Sequence, residues 1–232
     1  MMMTHVEQVL VDTIKILKRL RAENNMPLHA LIFGKWGAGK TVSAKKIVKN
    51  SKETFYIKIE SGITRSRLLK KIGFSLGCGA RHSYEATLDL IKAHLEYLNM
   101  QPVIIVDESQ RIFSNQQILN ELKDLAEDDS LRFSYIFLGD HTTPKIIASH
   151  PHSIHSRIVI RKELSPLSLN TVEKLLQENK LKADAEKLYN FGKSRNWTTL
   201  DFQLVIQALK NTQTQSEIDE DVLTKVAAVL GR

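Results

Sequence analysis

The sequence predicts an α/β chain: a mostly parallel sheet with helices on both faces, followed by a small all-helical domain. Three observations carry this prediction. Ala30–Phe33, Val103–Val106 and Tyr135–Leu138 are nearly unbroken apolar runs of strand length, the pattern of strands buried on both faces. Segments with helical apolar spacing alternate with these runs. After Ser165-Pro166 the strand pattern stops and only helical spacing continues, so the expected domains are residues 1–165 and 166–232.

In chain order, Val6, Val9, Leu10, Ile14, Leu17 and Leu20 recur at helical spacing behind a capping box of Thr4 and Glu7. Asn24-Asn25-Met26-Pro27 ends that helix, and strand Ala30–Phe33 feeds a glycine-rich loop. The helix after the loop carries Val42, Ala44, Ile47 and Val48. Phe55–Ile59 is the next strand, residues 64–76 the next helix, and Tyr84–Leu98 a third helix leading into Val103–Val106. Ser114 and Gln117 have capping-box spacing before a helix bearing Ile118, Leu119, Leu122 and Leu125. Tyr135–Leu138 and Ile158–Ile160 are the remaining strands. Asn170–Gln177, Ala183–Phe191, Thr199–Leu209 and Asp219–Leu230 build the helical domain, with Gly192 and Gly231 as terminators. In a sheet of this kind ligands gather at the carboxyl ends of the strands, where Gly34, Asp107 and Asp140 all fall.

Gly34-Lys35-Trp36-Gly37-Ala38-Gly39-Lys40-Thr41 matches G-x-x-x-x-G-K-[ST] between a strand and a helix. Backbone N–H groups of such a loop, with the helix N-terminus behind them, cradle phosphate oxygens. Lys40 is expected at the β- and γ-phosphates of ATP and the Thr41 hydroxyl on Mg²⁺, with Val42 completing the nucleotide-binding stretch. Asp107 at the end of its strand is the natural magnesium anchor, either directly or through a group that itself binds the ion. Glu108 is placed to orient or deprotonate the attacking water. The context of strand, loop, helix and distant acidic pair makes the chain a nucleotide hydrolase.

On these residues the chain resembles the AAA+ ATPases over nearly all its length. Val106-Asp107-Glu108-Ser109-Gln110-Arg111 is similar to the Walker B segment of the clade that holds replication initiators and the target-selecting ATPases of transposons, the phage Mu B type among them. That resemblance implies a homo-oligomer, ring or helical filament, that binds ATP between subunits, assembles on double-stranded DNA and presents target DNA to a transposase. It also assigns three further residues. Asp140, after strand Tyr135–Leu138, stands at the sensor 1 place, where the family more often has Asn or Thr and where His141 and Thr142 are alternatives. Arg157 in Ser156-Arg157 stands as an arginine finger that completes a neighbour's site. Arg195 in Gly192-Lys193-Ser194-Arg195 matches the G-x-x-R of sensor 2. The Mu B type also has a separate N-terminal DNA-binding domain, for which no room precedes this core, so a partner protein is expected to choose the site.

Residues 61–81 contain Arg65, Arg67, Lys70, Lys71 and Arg81 and no acid. On a helix from Thr64, Arg67, Lys70 and Lys71 share a face, and with Arg65 they are the candidate phosphate contacts on DNA. The competing reading is an ordinary solvated cationic helix. Lys15, Lys18, Arg19 and Arg21 form a second basic group, either a contact surface or the polar face of a packed helix. A net charge of +7 and a pI near 9.4 permit an anionic polymer as partner and equally serve solubility.

The single Cys78 forms no internal disulfide and suits a reducing compartment. No signal peptide or membrane-spanning run is evident, so the expected location is cytoplasmic, bacterial or that of a host if the chain is phage-encoded. His141, His150, His152 and His155 lack zinc-ligand spacing and read as loop histidines. Trp197 reads as a core or interface anchor. Two other functions compete with transposition: a helicase-loader or replication-initiation ATPase, and an ATP-gated protein scaffold without DNA affinity.

Overall fold

The computed structural model describes residues 4–24, 26–164, 168–181, 183–195, 197, 199–211 and 220–229. The expected junction at Ser165-Pro166, Asn25 of the first helix stop and the terminator Gly231 lie outside the described residues. The elements run α1 (His5–Asn24), β1 (His29–Phe33), α2 (Lys40–Lys49), β2 (Thr54–Lys58), α3 (Arg65–Leu76), α4 (Tyr84–Leu98), β3 (Val103–Asp107), α5 (Gln116–Glu127), β4 (Ser134–Gly139), α6 (Thr143–Ser149) and β5 (Ile158–Glu163). Helices α7 (Leu169–Glu178), α8 (Ala185–Ser194), α9 (Thr199–Asn211) and α10 (Glu220–Val229) follow. Short 3-10 turns occupy Ser109–Arg111 and Ser153–Arg157.

The strands form a parallel sheet in the order β2-β3-β4-β1-β5, as the apolar runs predict. The three central strands are the three apolar runs, because strands paired on both edges and covered on both faces meet no water. Register aligns Phe33 with Gly139 and Asp107 with Leu138, so the loop after β1, the acidic end of β3 and Asp140 share the carboxyl edge of the sheet. At the other end of β1, His29 aligns with Ile158, which puts Arg157 at the amino edge.

The chain divides into two compact units. One comprises Glu7–Gly34 and Thr41–Glu163; the other comprises Lys35–Lys40, Leu164–Arg232 and Met1–Val6. In the sheet unit, Ile104, Val106 and Phe137 pack against Leu68, Leu69 and Ile72 of α3, Ile91 and Leu95 of α4, and Ile118 and Leu122 of α5. Cys78 lies against this core, where burial raises its thiol pKa and its Sγ donates to the Gly73 carbonyl at 3.3 Å.

Two local expectations change, and one left open is decided. Helix α5 is capped by Asn115, whose side chain accepts from the Ile118 N–H, in place of Ser114. The Asx side chain one residue later reaches the orphan donor directly. The basic group on α1 is largely engaged within the unit. Arg21 is buried and donates to the carbonyls of Gln101 and Pro102, Lys18 pairs with Glu53, and Arg19 lies near Glu23.

Gly192 is no terminator either, since α8 runs through it to Ser194. Trp197 packs edge-on between Phe191 and Phe202, with centroids 5.3 Å away from each. A β-carbon at Gly192 would come within 2.2 Å of the Phe202 ring and 2.7 Å of the Trp197 ring. The glycine is there for close approach, and Gly192→Ala is expected to destabilise the helical unit by about 1–3 kcal/mol. Urea unfolding followed by Trp197 fluorescence would measure this, and an unchanged midpoint would remove the packing argument.

Candidate functional site

The glycine loop leaves β1 at Gly34 and enters α2 at Lys40. Gly37 and Gly39 have φ of 75° and 83°, left-handed values that a side chain resists, so the two internal glycines of the motif are what let the loop turn its amides inward. Lys40 Nζ donates to the Lys35 carbonyl at 2.9 Å across the loop. Trp36 and Val42 are largely exposed, 73% and 72%.

Within the sheet unit, the motif threonine and the strand-end aspartate meet. The Thr41 hydroxyl donates to Asp107 Oδ2 at 2.6 Å, across 66 residues of sequence. Asp107 is 3% exposed and its Oδ1 accepts the Glu108 N–H at 2.9 Å. This bond helps hold Glu108 at φ 59°, a left-handed conformation that costs a non-glycine residue about 1–3 kcal/mol. The Glu108 carboxylate then takes a hydrogen bond from Gln110 Nε2 at 2.9 Å and has Arg111 Nη2 at 3.5 Å. Arg111 is itself tied to the Ile59 carbonyl at the end of the neighbouring strand. Glu108 is therefore a fixed carboxylate, aimed by a strained turn and steadied by two polar neighbours.

Sequence reasoning missed Tyr56. Its phenol donates to Asp107 Oδ2 at 2.7 Å, beside the Thr41 hydroxyl, and Lys45 of α2 lies 5.6 Å over its ring. Burial first, and then the bond to Asp107, raise the phenol's pKa well above its ordinary value, so it is a proton donor throughout the working pH range. The only signal in the sequence was strand alternation. Phe55 and Ile57 join the core under α3, which turns Tyr56 to the opposite face.

Asp140 is buried, and three hydrogen bonds converge on its Oδ1: from the Thr142 N–H at 2.9 Å, the Thr142 hydroxyl at 2.6 Å and the Thr143 hydroxyl at 3.3 Å. Burial works against its charge, but these donors outweigh it and hold the carboxyl below the usual range. The observed job of Asp140 is to cap the turn into α6. Arg157 pairs with Glu127 at 2.6 Å. Arg195 closes α8 and stacks on the Phe191 ring at 4.5 Å.

The basic stripe on α3 is less continuous than its sequence. Thr64 caps the helix, accepting from the Arg67 N–H. Arg65 reaches Glu121, which is fully buried on α5 and also accepts from Tyr84. Lys71 pairs with Glu60, one residue before the acid-free stretch begins. Two of the four candidate cations are thus neutralised by acids that lie outside residues 61–81, and Arg67 and Lys70 remain on the outward face. Among the loop histidines, His152 and His155 cap the turn at Ser153–Arg157, with each ring nitrogen Nδ1 accepting a backbone N–H.

Thr41 and Asp107 supply hard oxygen donors, the kind Mg²⁺ takes from a protein when nucleotide phosphates complete its shell. The residues fit that ion. Among the described residues no group of three or more His, Cys, Asp or Glu side chains forms a self-sufficient metal cage, and no helix is long and apolar enough to cross a membrane.

A protein-family model described as an AAA domain matches residues 25–147, more than half of the chain. Solved structures with the same fold include the ORC2 protein of Aeropyrum pernix in ADPNP-ADP complexes, at 16% identity and TM-score 0.70, covering 97% of this chain and 69% of that one. The ORC1 protein of Aeropyrum pernix in complex with DNA matches at 12% identity and TM-score 0.67, covering 99% of this chain and 66% of that one. Cdc6p of Pyrobaculum aerophilum matches at 18% identity and TM-score 0.66, covering 92% of this chain and 63% of that one. The chain spans about two thirds of the length of each of these structures, and at such identities the likeness is one of fold. No curated protein sequence gives a significant match.

Proposed function

The chain belongs to the AAA domain family and carries an ATP-binding, ATP-hydrolysing AAA+ domain, and from that premise we propose that it is an oligomeric, DNA-bound ATPase of the replication-initiator or helicase-loader kind. The observation that carries the chemistry is the meeting of Thr41, Asp107 and Glu108 at the carboxyl edge of the sheet. In this reading the Gly34–Thr41 loop holds the ATP phosphates and Lys40 bridges the β- and γ-phosphates. Thr41 would hold Mg²⁺, with Asp107 anchoring the Thr41 hydroxyl from behind, and the ion would offset phosphate charge when bound. Glu108 takes the proton of the attacking water. Arg195 responds to the γ-phosphate, Arg157 completes a neighbouring subunit's site, and Asp140 shapes the loop beside the nucleotide.

The initiator reading is supported by the ORC and Cdc6p folds, which this chain matches across both its sheet and its terminal helices, one of them solved with DNA. Presentation of target DNA to a transposase is the second reading. It rests on the likeness of Val106–Arg111 to the Walker B of transposition ATPases, and none of the structures named above is a transposition protein. Co-purification of the chain with a replicative helicase or with a transposase, each in the presence of ATP, decides between the two. Binding to neither, with no affinity for duplex DNA, would instead leave a protein scaffold.

DNA contact is assigned to Arg67 and Lys70, with Arg65 and Lys71 reduced to secondary roles by their ion pairs. Charge reversal at Arg67 and Lys70 together is expected to weaken ATP-dependent binding to nonspecific duplex. The slope of log affinity against log salt should shrink by about 0.9 for each phosphate that is no longer neutralised. A gel-shift series over salt concentration measures both quantities, and an unchanged slope places the DNA-binding surface away from α3.

A further inference from the structure

We propose that Tyr56 is a positioning residue of the ATPase site, holding Asp107 so that the Thr41 hydroxyl presents its lone pairs to the nucleotide-bound Mg²⁺. This deepens the ATPase reading and rests on it. Three donors meet the Asp107 carboxylate: the Thr41 hydroxyl at 2.6 Å and the Tyr56 phenol at 2.7 Å on Oδ2, and the Glu108 N–H at 2.9 Å on Oδ1. A carboxylate oxygen has two lone-pair directions, so the two hydroxyls saturate Oδ2. The carboxylate cannot then swing Oδ2 toward a cation without breaking one of them.

The consequence falls on Thr41. A threonine hydroxyl has one proton and two acceptor lone pairs, and a metal needs the lone pairs. By taking the proton, Oδ2 leaves both lone pairs of Thr41 Oγ1 directed away from Asp107. A carboxylate free to rotate would accept that proton only part of the time. The Tyr56 phenol, donating to the same oxygen, ties down the one torsion that matters. Placement supports the assignment. Tyr56 stands on the edge strand β2, whose register pairs Tyr56 with Ile105 and Lys58 with Asp107, so strand alternation sends Tyr56, Lys58, Ile105 and Asp107 to one face. That face is the one covered by α2, as the approach of Lys45 to Tyr56 and of Thr41 to Asp107 shows. Outer-shell partners of metal-site residues commonly carry this much: losing one costs roughly 10–100-fold in metal affinity or activity.

The experiment uses the full chain, a fluorescent ATP analogue and a titration of MgCl₂. In EDTA, Tyr56→Phe is expected to bind the analogue as the parent does, because the glycine loop is untouched. On adding Mg²⁺, the concentration giving the half-maximal fluorescence change should rise about 10-fold or more in Tyr56→Phe. On a Thr41→Val background the same substitution should add no further shift, since Tyr56 acts through Thr41. A role confined to packing would weaken the metal-free complex, or add its cost on both backgrounds, and either result overturns the proposal. An unchanged magnesium midpoint in Tyr56→Phe overturns it as well. If the parent itself shows no response to Mg²⁺, the metal-dependent ATPase reading fails first, and the two failures are told apart by that control. A thermal melt of each variant verifies that the comparison is between folded proteins.

Discussion

Glu108→Gln is expected to lower ATP turnover by roughly 10²–10⁴-fold, the usual worth of a positioned general base, while ATP binding is kept. The amide is nearly the same shape as the carboxylate and its oxygen still accepts from Gln110, so the turn that aims residue 108 should survive the substitution. What disappears is the ability to take a proton from water. Phosphate release gives the turnover, and a fluorescent nucleotide gives the binding. The same variant should trap the ATP-bound state, so its complex with duplex DNA should outlast that of the parent in a dissociation experiment with competitor DNA. Hydrolysis at the parental rate would refute the assignment of Glu108.

Arg157→Ala should cost more, roughly 10³–10⁵-fold in turnover if the arginine acts as a finger on transition-state charge. Geometry within one subunit favours action on a neighbour. The sheet is parallel, its nucleotide edge is the carboxyl edge, and Arg157 precedes β5 at the amino edge opposite His29. The four residue steps from His29 to Phe33 span roughly 13 Å of strand, so Arg157 is turned away from its own Gly34–Asp107 edge. In the isolated chain its guanidinium rests on Glu127 at 2.6 Å and must leave that partner to serve an adjacent site. The decisive measurement mixes subunits. Arg157→Ala and Glu108→Gln chains, each inactive alone, should recover activity together, because the first has a working base and the second supplies a working arginine. No recovery in a mixed oligomer would rule out the role in trans.

Much of this was legible in the chain alone. Val103–Val106 and Tyr135–Leu138 could be read as central strands because burial on both faces leaves no place for a polar residue. Tyr84–Leu98 could be read to the residue because helical spacing and flanking polar caps agree there. The glycine loop was legible because positive φ at Gly37 and Gly39 has a residue-type signature. Ion pairs were not. Arg65 with Glu121 joins α3 to α5, and Arg157 with Glu127 joins the turn before β5 to the end of α5. Each sets the availability of a cation that local sequence left open. The stripe at 61–81 looked acid-free only because its acids come from elsewhere in the chain. Gly192 looked like a stop signal for the same reason: its true neighbours, Trp197 and Phe202, are aromatic rings that come round from beyond the helix.

By itself, then, the sequence determined the layered α/β class, the phosphate loop at Gly34–Thr41 and the acidic pair Asp107-Glu108, because each is written in short-range spacing or in residue types that a single conformation demands. Only the tertiary structure decided that Tyr56 shares Asp107 with Thr41, that Asp140 turns its carboxylate to capping a turn, and that Arg67 and Lys70 keep the outward face of α3. Those facts depend on which strand lies beside which and on where a distant carboxylate is buried, and pairing across 50 or more residues leaves no periodic trace in the chain.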